Sequence, residues 1–241
     1  MYTSIELRTL NKHDVIPPTA VRKTIFSLRL WRPQRHRRHP QRHWQVNPGR
    51  RHSARPAGLT LGCVNARLVG NKSATLCHAI ADKRLDVLVL TETWHENTDS
   101  LTLKRTTPPR YQTVDAARPI TSDVAVHDVH FQNHGGLAFV FRDTVYFQKR
   151  TFDVNVMTFE YLYGFATTGD GHFIPLGIYR PGRQSLSATF YNELSAVLQW
   201  IAVHSCLIVI CGDFNLHVDQ TDDAHAVRFG QLLQSFGLVQ Q

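Results

Sequence analysis

The sequence predicts an α/β protein made of two packed sheets with helices outside them. Three observations carry that expectation. Short apolar runs at 86–90 and 206–210 stop abruptly at polar residues and read as strands covered on both faces. Apolar residues recur at helical spacing in 71–84, 187–202 and 223–235. Alternating runs at 157–166 and 173–179 flank Gly169 and Gly171 and read as a hairpin, which a pure alternation of parallel strands and helices does not contain.

Taken in order, the elements begin with an arm, residues 1–58. It carries 13 Lys/Arg against 2 Asp/Glu, a net charge of +11. Arg, His, Pro and Gln dominate 32–55, a composition that buries too little apolar surface to offset chain entropy, so the arm reads as disordered. Within it, Ile25, Phe26, Leu28, Leu30 and Trp31 fit a short amphipathic helix. From Leu59 the pattern becomes that of a folded body. Residues 59–64 form a strand ending at Asn65, 71–84 a helix and 86–90 a strand ending at Thr91-Glu92. Pro108, Pro109 and Pro119 mark loops. Gly135-Gly136 opens a strand at 137–141, which 145–147 is expected to join as a hairpin. The 157–166 and 173–179 hairpin ends at Tyr179. Helix 187–202 turns Phe190, Leu194, Val197, Leu198 and Ile201 inward. Strand 206–210 then runs into Gly212-Asp213-Phe214-Asn215, and the last helix, 223–235, carries Val227, Leu232 and Leu233.

Composition narrows the class. The 241 residues are 42% apolar, enough for one large domain, and hold no uninterrupted apolar run of the ~18–20 residues that span a membrane. Cys63, Cys77, Cys206 and Cys211 lack C-x-x-C spacing and read as free thiols in a reducing compartment. The arm's cationic run is too long, and its apolar stretch too short, for a secretory signal, so a nuclear or cytoplasmic protein is expected. Residues 59–241 have a net charge of −3. Only the arm is basic, and only the arm suggests contact with nucleic-acid phosphates. No P-loop, G-x-G-x-x-G or G-x-S-x-G occurs.

Chemistry concentrates where strands end. Asn65, Glu92, Tyr179, and Asp213 with Asn215 close four of them. Side chains at i and i+2 share a strand face, so Asp213 and Asn215 are delivered together. Ligands of α/β proteins collect outside strand ends. Two carboxylates, two amides and a phenol form an oxygen-rich set suited to a hard cation, with Mg2+ the natural occupant. Singly, each has a structural use: a turn cap for Glu92, a bend for Asn65, an interfacial phenol for Tyr179.

The ordered motifs Asn65-Ala66-Arg67, Thr91-Glu92-Thr93-Trp94, Tyr179-Arg180-Pro181 and Gly212-Asp213-Phe214-Asn215 resemble the endonuclease/exonuclease/phosphatase family, deoxyribonuclease I-like in fold. Their wording is most similar to the endonuclease domain of non-LTR retrotransposons. The resemblance covers about 59–241. It implies a four-layer α/β sandwich and a hydrolase of phosphodiesters that uses Mg2+, or Mn2+ in its place, with DNA as partner. By similarity Glu92 and Asn65 hold the ion, Asp213 orients or deprotonates the attacking water, and Asn215 and Tyr179 contact the phosphate. Arg67 and Arg180 become nucleic-acid contacts. Arg67 departs from the aspartate of abasic-site endonucleases, and the Asn-Ala-Arg and Tyr-Arg-Pro wording disfavours a phosphoinositide or sphingolipid phosphodiesterase.

Family members close with a later aspartate strand and a Ser-Asp-His run. This sequence reaches Gln241 before either, and neither His217 nor His134 stands in an equivalent position. The fold is therefore expected to be incomplete at its C-terminus, with sheet edges left open and catalysis impaired. The alternative is a catalytically dead fragment acting as a nucleic-acid-binding module.

Overall fold

The computed structural model describes residues 5–9, 25–30, 58–95, 97, 99–118, 134–183, 185–217 and 222–240. Among the described residues the elements are β1 (Ile5–Thr9), β2 (Ile25–Leu30), β3 (Leu59–Asn65), a 3-10 turn (Val69–Lys72), α1 (Ser73–Asp82), β4 (Val87–Thr91), α2 (Leu101–Thr106), β5 (Tyr111–Ala116), β6 (Leu137–Arg142), β7 (Tyr146–Arg150), β8 (Glu160–Thr168), β9 (Gly171–Tyr179), α3 (Ala188–Ala202), β10 (Leu207–Asp213), α4 (Ala224–Ser235) and β11 (Leu238–Gln240). They form a five-stranded sheet, β1-β3-β4-β6-β5, and a six-stranded sheet, β11-β2-β10-β9-β8-β7. β3 runs parallel to β4, and β10 parallel to β9, so these four strands deliver their C-terminal residues in pairs.

The period of two sorts the apolar residues into three cores. Leu59, Leu61, Cys63, Val87, Val89, Phe139, Val209 and Cys211 point into the seam between the sheets. On the other face of the five-stranded sheet, Val64, Leu88, Leu90 and Val140 pack against Leu76, Ala79 and Ile80 of α1. On the far face of the six-stranded sheet, Ile174, Leu176, Ile208 and Ile210 meet Phe190, Leu194, Val197, Leu198 and Ile201 of α3. The order is helix, sheet, sheet, helix, as the sequence predicts. Both longer helices start on a side-chain cap: Ser187 accepts from the Phe190 amide and Asp223 from the His225 amide. All four cysteines are free, with Cys63 and Cys211 buried.

Several local expectations are corrected. Residues 145–147 do not form a hairpin with 137–141: β7 joins the other sheet, antiparallel to β8. The two segments still touch, but face to face across the seam, where Phe147 lies 5.6 Å from Phe139 and 5.5 Å from Phe141 between ring centroids. Ile25–Leu30 is a strand rather than a helix, because backbone pairing with β10 claims it. The 1–58 arm, read as disordered apart from that helix, contributes β1 beside β3 and β2 beside β10, and β11 pairs with β2. The Arg/His/Pro-rich 32–55 stretch lies outside the described residues. The loop expected at Pro108 and Pro109 is present, between α2 and β5, and Pro119 lies outside the described residues. In α4 the inward face is Ala226, Phe229 and Leu233, while Val227 is 45% exposed. No helix among the described residues is long and apolar enough to cross a membrane.

Candidate active site at the mouth of the sheet seam

The seam-facing stripe of each central strand ends in a polar residue. Two positions beyond Cys63 comes Asn65, two beyond Val89 comes Thr91, two beyond Gly177 comes Tyr179, and two beyond Cys211 comes Asp213. Alternation therefore aims all four into the same opening. The sheets close on each other there: Asn65 Nδ2 donates to Asp213 Oδ2 at 2.5 Å, joining residues 148 positions apart. Gly177 permits the approach, since a methyl there would sit 2.8 Å from the Phe139 ring of the facing sheet, while a methyl on Gly212 (φ 151°) would overlap the carbonyl oxygen of Ile178 on the adjacent strand β9.

Asp213 is fully buried, and both of its oxygens have partners. Oδ2 accepts from Asn65, and Oδ1 accepts from the Asn215 backbone N–H at 3.0 Å. Asn215 leaves the strand in the left-handed region, φ 48°, and its Nδ2 donates to the Arg180 carbonyl at 2.6 Å. Asn65 Oδ1 accepts from the Arg67 amide at 3.2 Å. The Asn65 amide and Asp213 carboxylate are thus held in fixed orientations.

Glu92 is 4% exposed and follows β4 at φ 51°. Its backbone carbonyl accepts from Leu68 N at 3.1 Å, which ties the turn to the one after β3. Tyr179 lies within electrostatic reach of both carboxylates. Burial first, then the charge of Glu92, raises its phenol far above the ordinary value; Arg118 opposes, and Asp213 and Glu160 add to the rise. The Tyr179 hydroxyl consequently stays protonated and is available as a donor.

The donor set suits a small hard cation. It offers two buried carboxylates, an amide oxygen and a hydroxyl, which matches the habit of Mg2+ to take one or two carboxylates and keep several waters. Among the described residues no three His, Cys, Asp or Glu side chains cluster into a denser cage. Thr91 adds a direct structural sign. Its residue is fully buried, it lies on the inward stripe beside Asn65, and its Oγ1 has no hydrogen-bond partner among the described residues. A buried hydroxyl without a partner costs about 1–3 kcal/mol, so a polar occupant at this mouth would satisfy it.

One sequence expectation changes here. Arg180 was assigned to nucleic acid, but its residue is 4% exposed and its guanidinium points inward. Nε donates to Phe214 O at 2.7 Å, one terminal nitrogen to Asn215 O at 2.8 Å, and the other to Pro181 O at 3.3 Å. Arg180 clamps the Asp213–Asn215 turn. Arg67, in contrast, is half-buried at the site margin with φ 42°. It acts electrostatically on Lys72, which donates to the Ala66 and Arg67 carbonyls. His217 is exposed, and His134 stacks edge-on with Trp94 at 4.3 Å.

Sequence reasoning missed Thr91, Lys72, Arg118 and Glu160. Glu160 sits directly opposite Tyr179 in the β8–β9 ladder. It accepts from Arg118 Nε at 2.5 Å and from Gly136 N at 2.6 Å, while the Arg118 guanidinium lies 5.7 Å from the Tyr179 ring centroid. Only Thr91 carried a usable signal, as the last inward residue of its strand.

Solved structures of known proteins resemble the chain in fold. The endonuclease domain of TRAS1, a telomere-specific non-LTR retrotransposon, superposes with a TM-score of 0.50 at 12% identity, over 73% of this chain and 70% of that one. A mannosyl-6-phosphatase from Bacteroides thetaiotaomicron gives 0.50 at 15% identity, over 71% of each. A 3′ phosphatase from Neisseria, solved with a product DNA hairpin, gives 0.49 at 17% identity, over 73% and 70%. At these identities the likeness is one of fold. No curated protein matches the chain. The sequence profile that does match covers residues 62–239, every central strand and every polar strand end described above, and by it the chain belongs to the Endonuclease/Exonuclease/phosphatase family.

Proposed function

We propose that the chain is a Mg2+-dependent phosphodiester hydrolase that nicks DNA, of the kind carried by non-LTR retrotransposons. The observation that carries the reading is the Asn65–Asp213 hydrogen bond, which joins the two sheets at one mouth and fixes a buried carboxylate beside Glu92 and Tyr179.

Each residue then has a task set by its chemistry. Asp213, oriented through both oxygens, accepts a proton from the attacking water as the new oxygen–phosphorus bond forms and the scissile phosphorus–oxygen bond breaks, the leaving sugar oxygen taking its proton from solvent water. Glu92 and the Asn65 amide oxygen would hold the cation, with Thr91 Oγ1 bonding to one of its waters. When bound, the ion neutralises phosphate charge and polarises the phosphoryl oxygen. The Tyr179 phenol, kept protonated by burial and by its acidic neighbours, donates to a non-bridging oxygen. Asn215 directs its second amide proton to the same phosphate, the first being held by Arg180 O. Arg67 and Lys72 supply positive charge at the rim, and the basic 1–58 arm adds further phosphate contacts.

The test is conversion of supercoiled plasmid to open circles by the purified 1–241 chain with Mg2+. Activity that falls by about 10²–10⁴-fold in both Asp213→Asn and Glu92→Gln supports the reading. A folded chain that binds plasmid without nicking it would refute hydrolysis and leave a nucleic-acid-binding module.

A further inference from the structure

Beneath the turn that carries Glu92 lies a chain of three buried polar side chains that no step above uses. His95 Nε2 is 2.9 Å from Asp115 Oδ2, and His95 Nδ1 is 2.6 Å from Thr93 Oγ1. The His95 side chain is fully buried and that of Asp115 is 8% exposed. A carboxylate accepts only, so Asp115 takes the Nε2 proton, which leaves Nδ1 to accept from the Thr93 hydroxyl. The arrangement leaves no room to drift. A methyl on Gly136 (φ 88°) would stand 2.6 Å from Thr93 Oγ1 and 3.1 Å from the His95 ring. Thr93 N and Trp94 N donate to Gly136 O and Gly135 O at 3.3 and 2.9 Å, so side chains and backbone fasten the same five-residue stretch.

That stretch is conformationally expensive. Glu92 and Trp94 both hold left-handed backbone, at φ 51° and 52°. Non-glycine residues remain there only when their surroundings over-determine them. The Thr93–His95–Asp115 chain runs between them and anchors them to β5. Relaxation of this turn would rotate the Glu92 carboxylate away from Asp213.

We propose that His95, held between Asp115 and Thr93, is a positioning residue for the Glu92 carboxylate and so sets the affinity of the seam mouth for a divalent cation. This rests on the metal-binding reading above. The rival role is that of a satisfied core histidine that stabilises the fold and nothing more.

The experiment is Mg2+ titration of the full chain followed by thermal unfolding, which yields a dissociation constant for each variant whatever its metal-free stability. Outer residues that orient a metal ligand typically contribute about 10–100-fold in affinity. His95→Gln and Thr93→Val are therefore expected to weaken Mg2+ by that factor, whereas Thr93→Ser, which restores the hydroxyl, returns to the wild-type value. If His95→Gln fails to fold, the Thr93 pair decides alone. His95→Gln and Thr93→Val that melt earlier yet titrate at wild-type Mg2+ would overturn the positioning role while leaving the site intact. A wild-type chain with no Mg2+ response, or one unchanged by Glu92→Gln, would overturn the metal-binding reading itself, and the inference with it.

Discussion

Arg180→Met tests whether the Tyr-Arg-Pro arginine supports the site or touches DNA. The perturbation keeps side-chain length and apolar stem and removes every donor. Two short charge-assisted bonds are lost, to Phe214 O at 2.7 Å and Asn215 O at 2.8 Å; the 3.3 Å contact to Pro181 O is too long to add much. Hydrogen bonds to charged groups contribute roughly 1.5–3 kcal/mol each, so the gross loss is about 3–6 kcal/mol. Opposing it, the buried charge disappears. Burial alone pulls the guanidinium below its ordinary value, with Asp213 as the main counterweight, and replacing a buried ion with an apolar group recovers part of the loss. Methionine also keeps a contact with Phe190, whose ring centroid is 5.9 Å from the guanidinium carbon. The net expectation is a destabilisation of about 3 kcal/mol. In urea unfolding followed by circular dichroism, a slope of about 2–3 kcal/mol/M turns that into a midpoint about 1 M lower. Arg180→Lys should lose nearly as much, since a single ammonium cannot reproduce the fork. A loss under about 1 kcal/mol, together with a DNA-binding salt slope reduced by about one, would refute the clamp and restore the phosphate contact.

Two further expectations concern backbone and protonation. Gly212→Ala should cost about 3 kcal/mol or more, or give insoluble protein, because its methyl meets the Ile178 carbonyl; Gly169→Ala, with nothing within 4 Å of the new methyl, should be neutral or stabilise by about 0.4–1 kcal/mol, read as melting temperatures side by side. Burial pushes the Tyr163 phenol up to about 12, with Tyr161 adding and Arg150 opposing, while its hydroxyl donates to Thr151 O at 3.0 Å. A raised folded-state value means the unfolded chain releases this proton first as pH rises. The stabilisation is therefore complete below pH ~10 and lost by pH ~12, a span of roughly 2–3 kcal/mol. Stability of Tyr163→Phe should fall less steeply across that window, and parallel curves would refute the assignment.

Strand ends were legible, and so was the β8–β9 hairpin across Gly169–Gly171, but the partners of the other strands were not. Cys63-Val64-Asn65 and Cys211-Gly212-Asp213 announce themselves locally, because an apolar run stops at a polar residue and alternation says which way that residue faces. Nothing local says which strand lies alongside. Residues 145–147 alternate as well for one sheet as for the other, and only the tertiary fold sends them to β8. Glu160 gives no sequence signal at all, since its position opposite Tyr179 depends on ladder register. β5 is a half-exposed edge strand following two prolines, which masks its period. Ile25–Leu30 carries apolar groups at positions that satisfy either period, and its pairing with β10 decided the outcome.

The site departs from local rules in one consistent way. Of the eight non-glycine residues with positive φ among the described residues, five (Arg67, Leu68, Glu92, Trp94 and Asn215) lie within three positions of Asn65, Glu92 or Asp213. Three of the four polar strand ends, all but Tyr179, are thus followed by a backbone conformation their own sequence disfavours, and each such turn is held by a polar clamp. Lys72 binds the Ala66 and Arg67 carbonyls after β3. The Thr93–His95–Asp115 chain holds the turn after β4. Arg180 holds the turn after β10. Strain placed where side chains must converge, and stabilisation placed one shell outward, is the distribution expected of a preorganised site. It also explains why Arg180 looks like a nucleic-acid contact in the sequence: a clamp and a contact need the same donors, and only burial tells them apart.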